Sequence, residues 1–298
     1  MNMKLQDITS PHIVGVVKRI ADFPSRFVEP RHIDIWLPPS YATSDQQYPV
    51  LYMHDGQSLF MPGYTFTNHE WGVDEMMTRL IAEDKLREAI VVGIWNNGEK
   101  RFREYQPHKP FVRGDTAVQT LRAQLDHTYN GGPLSDDYLQ FIVEELKPVV
   151  DGRFRTLTDQ ANTFMMGSSM GGVISIYALA EYPDVFGGVA CLSTHFPLFL
   201  EDRPDAPPLL IRYLQAHLPR PGQHKIYFDY GTKTIDAWYE PHQLQIDAAM
   251  AAIGYTKGVD WVTHKFEGEE HSEIAWRKRL DVPLTFLLGK KQDTDERG

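Results

Sequence analysis

Residues 163–182 read TFMMGSSMGGVISIYALAEY: an apolar run, a cluster of glycine and serine, then apolar residues at helical period. A strand that bends within a few residues into a helix, with small residues at the bend, aims one side chain out of the end of a sheet. Two serines compete for that place. Only Ser169 has glycine two before it (Gly167) and two after it (Gly171), so it fits G-x-S-x-G and Ser168 is the filler. The rival reading of a Gly-rich strand-to-helix turn is a phosphate cradle. That needs the lysine of a P-loop or the spacing of a dinucleotide fingerprint, and the stretch has neither.

Outward from this turn the apolar texture recurs. YPVLYMHDG (48–56), AIVVGIW (89–95), VFGGVACLS (185–193) and KIYFDYG (225–231) are nearly continuous apolar runs, as strands covered on both faces are; WVTHKFEG (261–268) is a more polar candidate. Between them, 73–86, 136–150, 170–182, 242–253 and 274–288 carry helical period, with Ser135 as an expected N-cap and Pro283 expected to kink or split the last. Strand and helix in alternation predict an α/β fold: a mainly parallel central sheet with helices on both faces. HIVGVVKRI (12–20) and RHIDIWL (31–37) alternate apolar and polar residues and are expected as an antiparallel N-terminal edge. All 298 residues are expected to form a single domain, 1–298. Two stretches interrupt the alternation: a polar, aromatic excursion at 97–134, and a Pro-rich one at 196–222 around the short apolar helix PPLLIRYLQAHL. Both are expected to be lids or binding insertions.

Composition narrows the function classes. A formal net charge of −10 works against nucleic acid and anionic lipid as partners, since binding either requires Lys and Arg to neutralise phosphate. No run approaches 18 apolar residues, so no membrane span is expected, and MNMKLQDITSPH lacks the apolar stretch of a signal peptide, so the expected location is cytoplasmic. Cys191, the single cysteine, sits in an apolar run and is expected to be a small buried hydrophobe. No cofactor and no metal are expected, because no histidines are paired at a spacing such as H-x-x-x-H. The polar tail 290–298 is the expected frayed end.

A serine hydroxyl is a poor nucleophile near neutrality and needs a base, usually a histidine held by a carboxylate. On a strand-turn-helix scaffold the chain order is nucleophile, acid, base. Of the 12 histidines only His271, in FEGEEHSEIAW, follows the last expected strand. The acid belongs in the loop after KIYFDYG, where Asp236 and Glu240 both stand. Asp236 comes earlier and is the shorter, stiffer carboxylate, which suits a fixed partner for an imidazole. The negative charge of a tetrahedral intermediate needs preorganised N–H donors. One is expected from Met170, after the nucleophile, and the other from Gln57, in the loop that Gly56 allows to approach closely.

YPVLYMHDGQSLF (48–60), the GSSMGG turn, YPDVFGGVACLS (182–193) and the late His271 together resemble the "putative esterase" family of α/β-hydrolases, from about Arg31 to Leu288. That family includes enterochelin esterases, feruloyl and acetyl-xylan esterases, S-formylglutathione hydrolases and mycolyltransferases. The resemblance implies an α/β-hydrolase fold and carries over Ser169 as nucleophile, His271 as base and Gln57 and Met170 as oxyanion amides; Asp236 matches less closely, because the acid's loop varies in the family. S-formylglutathione hydrolases fit less well at DGQSLF, and mycolyltransferases are secreted. The expected activity is serine carboxylic-ester hydrolysis of a small to medium ester, feruloyl, acetyl-sugar or siderophore-like, through an acyl-enzyme. The alternatives are acyl transfer to a non-water acceptor and a non-catalytic ligand-binding protein on the same fold. Trp71, His195 and Tyr239 are candidates for the substrate pocket, with Tyr64, Phe66 and Trp238 beside them. The Pro-rich insertion leaves open a lid or a contact in a homo-oligomer.

Overall fold

The apolar runs become the interior of one large sheet because nothing in them can face water on either side. In the computed structural model, which describes residues 3–65, 67–112 and 114–290, the strands are β1 (Leu5–Ile8), β2 (Val16–Phe23), β3 (Arg31–Leu37), β4 (Val50–His54), β5 (Ile90–Ile94), β6 (Thr163–Ser168), β7 (Gly188–Leu192), β8 (Lys225–Gly231) and β9 (Trp261–Phe266). Phe66 and residues 291–298 of the expected frayed tail, 290–298, lie outside the described residues; Lys290 is described, and its N–H donates to the Lys85 carbonyl at 3.1 Å. The spatial order is β1-β2-β3-β5-β4-β6-β7-β8-β9. From β5 to β9 all pairings are parallel; β1, β2 and β3 pair antiparallel and join the rest through an antiparallel β3–β5 contact. Every residue of β4, β5, β6 and β7 is buried, whereas β9 at the edge is mostly part-exposed, which accounts for its more polar composition.

The antiparallel edge has one strand more than expected. β1 is four residues long, too short for periodicity to reveal it, and β2 begins at Val16 rather than at 12, after Gly15 turns the chain at φ 90°. Ser135 does not act as a cap: it is the first residue of the helix Ser135–Gln140, and its Oγ accepts the His108 N–H at 3.0 Å. From there the chain stays helical to Arg153, passing through a π-helical stretch at Phe141–Leu146 just before Pro148, which has no N–H for an α-helical ladder. The last helical stretch does divide, into Glu273–Arg279 and Asp281–Leu288. The break falls at Leu280, and Pro283 lies in the first turn of the second piece, where a missing N–H is tolerated.

Both insertions carry helices. The excursion 97–134 holds Arg101–Tyr105 and Thr116–Thr128, the latter capped by Asp115, whose side chain accepts from the amides of Ala117 and Val118 at 3.0 and 3.2 Å. Leu121 and Leu125 are its buried residues, too few to outweigh the polar texture. The second insertion carries Pro207–His217. Two apolar layers cover the sheet: Tyr138, Phe141, Ile174 and Leu210 belong to one, and Trp71, Met77, Trp276 and Leu284 to the other. Among the described residues, no helix is long and apolar enough to cross a membrane.

Candidate active site

Ser169 stands between β6 and the helix Met170–Glu181 with φ 58° and ψ −124°, a conformation that L-residues avoid unless the surroundings impose it. The surroundings are the two glycines of the motif. A Cβ on Gly167 would lie 2.7 Å from the backbone carbon of Gly171, so any larger residue would push the turn open. The turn is also stitched to the end of β7: Ser169 N–H donates to the Leu192 carbonyl at 2.9 Å, and the Ser169 carbonyl accepts from His195 N–H at 3.2 Å. Ser168 is 4 % exposed and belongs to β6.

His271 lies in the loop between β9 and the helix Glu273–Arg279, and its Nδ1 is 2.6 Å from Asp236 Oδ1. The other carboxylate oxygen of Asp236 accepts from the Gly231 amide and from Ser193 Oγ, each at 2.6 Å. Ser193 Oγ in turn accepts from Trp276 Nε1 and Arg279 Nη2, both at 2.9 Å, so its own proton is directed to Asp236. Burial alone would raise the Asp236 pKa; bonds from His271, Ser193 and Gly231 outweigh it and hold the carboxyl below its usual range. Arg279 also grips Asp229, at 2.9 and 3.2 Å. Glu240 points elsewhere, pairing with Lys265 at 3.0 Å on the surface, so Asp236 is the carboxylate that His271 meets.

The loop after β4 starts with Asp55 at φ 56° and ψ 44° and continues into the turn Gly56–Ser58. A Cβ on Gly56 would fall 2.4 Å from the backbone carbon of Gly93, so the turn can lie on β5 only with glycine there. Among the described residues, the amides of Gln57 and Met170 meet no hydrogen-bond acceptor. The turn is clamped from below: Arg101 Nε and Nη2 reach the two Asp55 oxygens at 2.7 Å each, and Asn96 Nδ2 adds a third bond at 2.7 Å. Burial works to raise the Asp55 pKa, but the Arg101 guanidinium overcomes it and keeps the carboxyl low. His54, buried beside it, has its pKa pushed down to about 3 by burial and is neutral; its Nδ1 meets the Tyr138 hydroxyl at 2.9 Å.

The pocket candidates separate. His195 and Tyr239 contact each other, Nδ1 to hydroxyl, at 2.7 Å, and the Tyr239 ring stands edge-on to His271 with centroids 5.8 Å apart. Trp71 is 3 % exposed and packs on Trp276, whose ring meets His271, so it backs the histidine rather than offering a surface. Tyr64 is exposed and lies against Trp95. Four residues around the site were not singled out in the sequence: Asp55, Arg101, Ser193 and Arg279. Asp55 and Ser193 are each the first residue past the C-terminal end of a parallel strand, a position where sites collect, and that was the available signal. Arg101 had none, being one basic residue in a polar excursion.

Residues 25–287 match the family described as "Putative esterase". The uncharacterized protein YbbA of Bacillus subtilis (strain 168) is 26 % identical over 271 residues, covering 89 % of this chain and 95 % of its own. A solved ferulic acid esterase superposes with a TM-score of 0.61 at 18 % identity, over 91 % of this chain and 97 % of its own. The enterobactin esterase FES from Shigella flexneri superposes with a TM-score of 0.63 at 18 % identity, over 91 % of this chain and 59 % of its own. A mainly parallel sheet flanked by helices, with a serine at a strand-to-helix bend, defines the α/β-hydrolase class. Within that class the chain belongs to the Putative esterase family.

Proposed function

We propose that this esterase is a serine carboxylic-ester hydrolase in which Ser169 is the nucleophile, His271 the base and Asp236 the acid that orients it. Two observations support the reading, a strained serine and a charge-assisted His–Asp pair: Ser169 is held at φ 58°, and His271 Nδ1 is 2.6 Å from Asp236. The Asp236 contact leaves the proton on Nδ1, so Nε2 is free to accept one. His271 then takes the Ser169 proton as Oγ attacks the ester carbonyl, and the amides of Gln57 and Met170 receive the oxyanion, the second at the positive end of its helix. His271 returns the proton to the leaving alcohol. Water, deprotonated by the same imidazole, attacks the acyl-enzyme, and collapse of the second tetrahedral intermediate restores Ser169 and releases the acid.

No step calls for a metal, and among the described residues no group of three or more His, Cys, Asp or Glu side chains could hold one. The substrate we propose is a small to medium ester of the feruloyl or siderophore type, by likeness to relatives with those names, with acetylated sugars as a third class. A fluorophosphonate probe tests the nucleophile: labelling is expected at Ser169 and should vanish in Ser169→Ala, whose ester hydrolysis should fall by roughly 10⁴-fold or more. Folded wild-type protein that takes up no label would instead support a non-catalytic binder.

A further inference from the structure

Tyr239 opens the helix Tyr239–Ile253 and is 1 % exposed, yet it touches both His195 and His271. Its hydroxyl is 2.7 Å from His195 Nδ1, and His195 Nε2 is 2.6 Å from the Phe199 carbonyl oxygen. A carbonyl only accepts, so Nε2 carries the ring proton and Nδ1 is left as an acceptor. Burial pushes the His195 pKa down to about 4, so the ring is singly protonated at neutral pH. Tyr239 must therefore give its one proton to His195, and its oxygen can present only lone pairs to other neighbours. On that side stands the His271 ring, set edge-on at 81° with centroids 5.8 Å apart, and His195 is itself joined to the nucleophile's backbone, its backbone N–H donating to the Ser169 carbonyl at 3.2 Å.

A hydroxyl fixed as an acceptor beside His271 matters most once Ser169 is acylated, because the serine then has no proton to offer. The donor must come from the attacking molecule. Water has two hydrogens, one for His271 Nε2 and one for Tyr239; an alcohol has one, which goes to His271, and leaves Tyr239 facing an oxygen or an alkyl group.

Resting on the acyl-enzyme reading above, we propose that Tyr239, locked by His195, is a positioning residue that selects water over alcohols as the acyl acceptor. In the step it controls, the water oxygen forms a bond to the acyl carbon, the carbonyl π pair moves onto the oxyanion, and one water proton passes to His271 Nε2. The second proton stays on the attacking oxygen, held by Tyr239. When the intermediate collapses, the bond to Ser169 Oγ breaks, Oγ takes the proton from His271, and the product leaves as a carboxylic acid.

The test is a partition experiment on the full chain, with a p-nitrophenyl ester turned over in buffer containing methanol and the acid and methyl ester products quantified. Tyr239→Phe should raise the ester-to-acid ratio roughly five- to tenfold over wild type, the worth of one hydrogen bond. His195→Leu, which frees the Tyr239 proton to donate, should raise it as well, and serves if Tyr239→Phe does not fold. The ratio is set after acylation, so a merely structural loss lowers both products and leaves it unmoved. Unchanged ratios in both variants, in protein still labelled at Ser169 by a fluorophosphonate, would overturn the role of Tyr239 alone. Wild-type protein that is not labelled would overturn the acyl-enzyme and this proposal together.

Discussion

On one side of Ser169, Arg101 reaches Asp55 beneath the Gly56–Ser58 turn; on the other, Arg279 reaches Asp229 and Ser193 behind Asp236. Arg101 comes from a five-residue helix in the long insertion and acts directly on the residue that starts the turn. Arg279 ends the helix Glu273–Arg279 in the body of the fold, is 3 % exposed, and is linked by hydrogen bonds to Asp236 through the Ser193 hydroxyl. The half of the site proposed to receive negative charge thus leans on a segment outside the sheet, while the half proposed to manage protons is tied into the core. Changes in the insertion should therefore reach catalysis through the proposed oxyanion turn, leaving the His–Asp pair intact.

The comparison is broken most forcefully on the proton side. Asp236→Asn keeps the shape but not the charge, and is expected to lower kcat by roughly 10⁴-fold in steady-state assays. A loss under tenfold would take Asp236 out of the mechanism. On the other side, Arg101→Met strands Asp55 without its counter-charge. It is expected to cost about 3 kcal/mol in denaturant unfolding and, by loosening the Gln57 turn, about a hundredfold in kcat/KM. An unfolding cost with kcat/KM intact would mean that the clamp is structural and the turn holds itself.

Ser193→Ala sharpens the contrast further, since it removes the hydrogen-bond relay from Arg279 to Asp236 without touching His271. About a tenfold loss of kcat is expected at pH 8. The loss should be larger at pH 5, because a carboxyl deprived of one donor regains a proton more readily on acidification. The smallest effect lies away from both arginines. Asp74 accepts the Val14 amide at 2.6 Å, and burial raises its pKa from 3.8 to about 6. Between those values the folded chain keeps a proton that the unfolded chain has released, so this group's contribution to stability falls as pH rises through that window. Asp74→Asn is expected to raise Tm at pH 7, to leave it unchanged near pH 4, and to spare activity. An equal Tm gain at both pH values would refute the titration.

What the sequence disclosed follows from the kind of constraint each part obeys. Ser169 was legible because a strained bend admits only glycine at 167 and 171, a local rule written in adjacent letters. The contact of His271 with Asp236 was expected from chain order, although the separation of Asp236 from Glu240 needed the surface pairing of Glu240 with Lys265, which no spacing shows. The parallel strands were legible through burial on both faces; β1 and the capped helix Thr116–Thr128 were not, being respectively too short and too polar for periodicity. The grips of Arg101 and Arg279 join residues 46 and 50 positions apart through tertiary geometry alone.

Cys191 lies in register beside Gly167, at the foot of the Ser169 turn, fully buried and with its thiol pushed well above the ordinary range by that burial. As the single sulfhydryl of the chain, it is a built-in gauge of how often the centre of the sheet opens. A thiol reagent can reach it only when the layer that covers it, the helix Met170–Glu181 included, lifts from the sheet. Its modification rate over that of a free thiol therefore reads the opening equilibrium at the base of the Ser169 bend, with no label or mutation introduced.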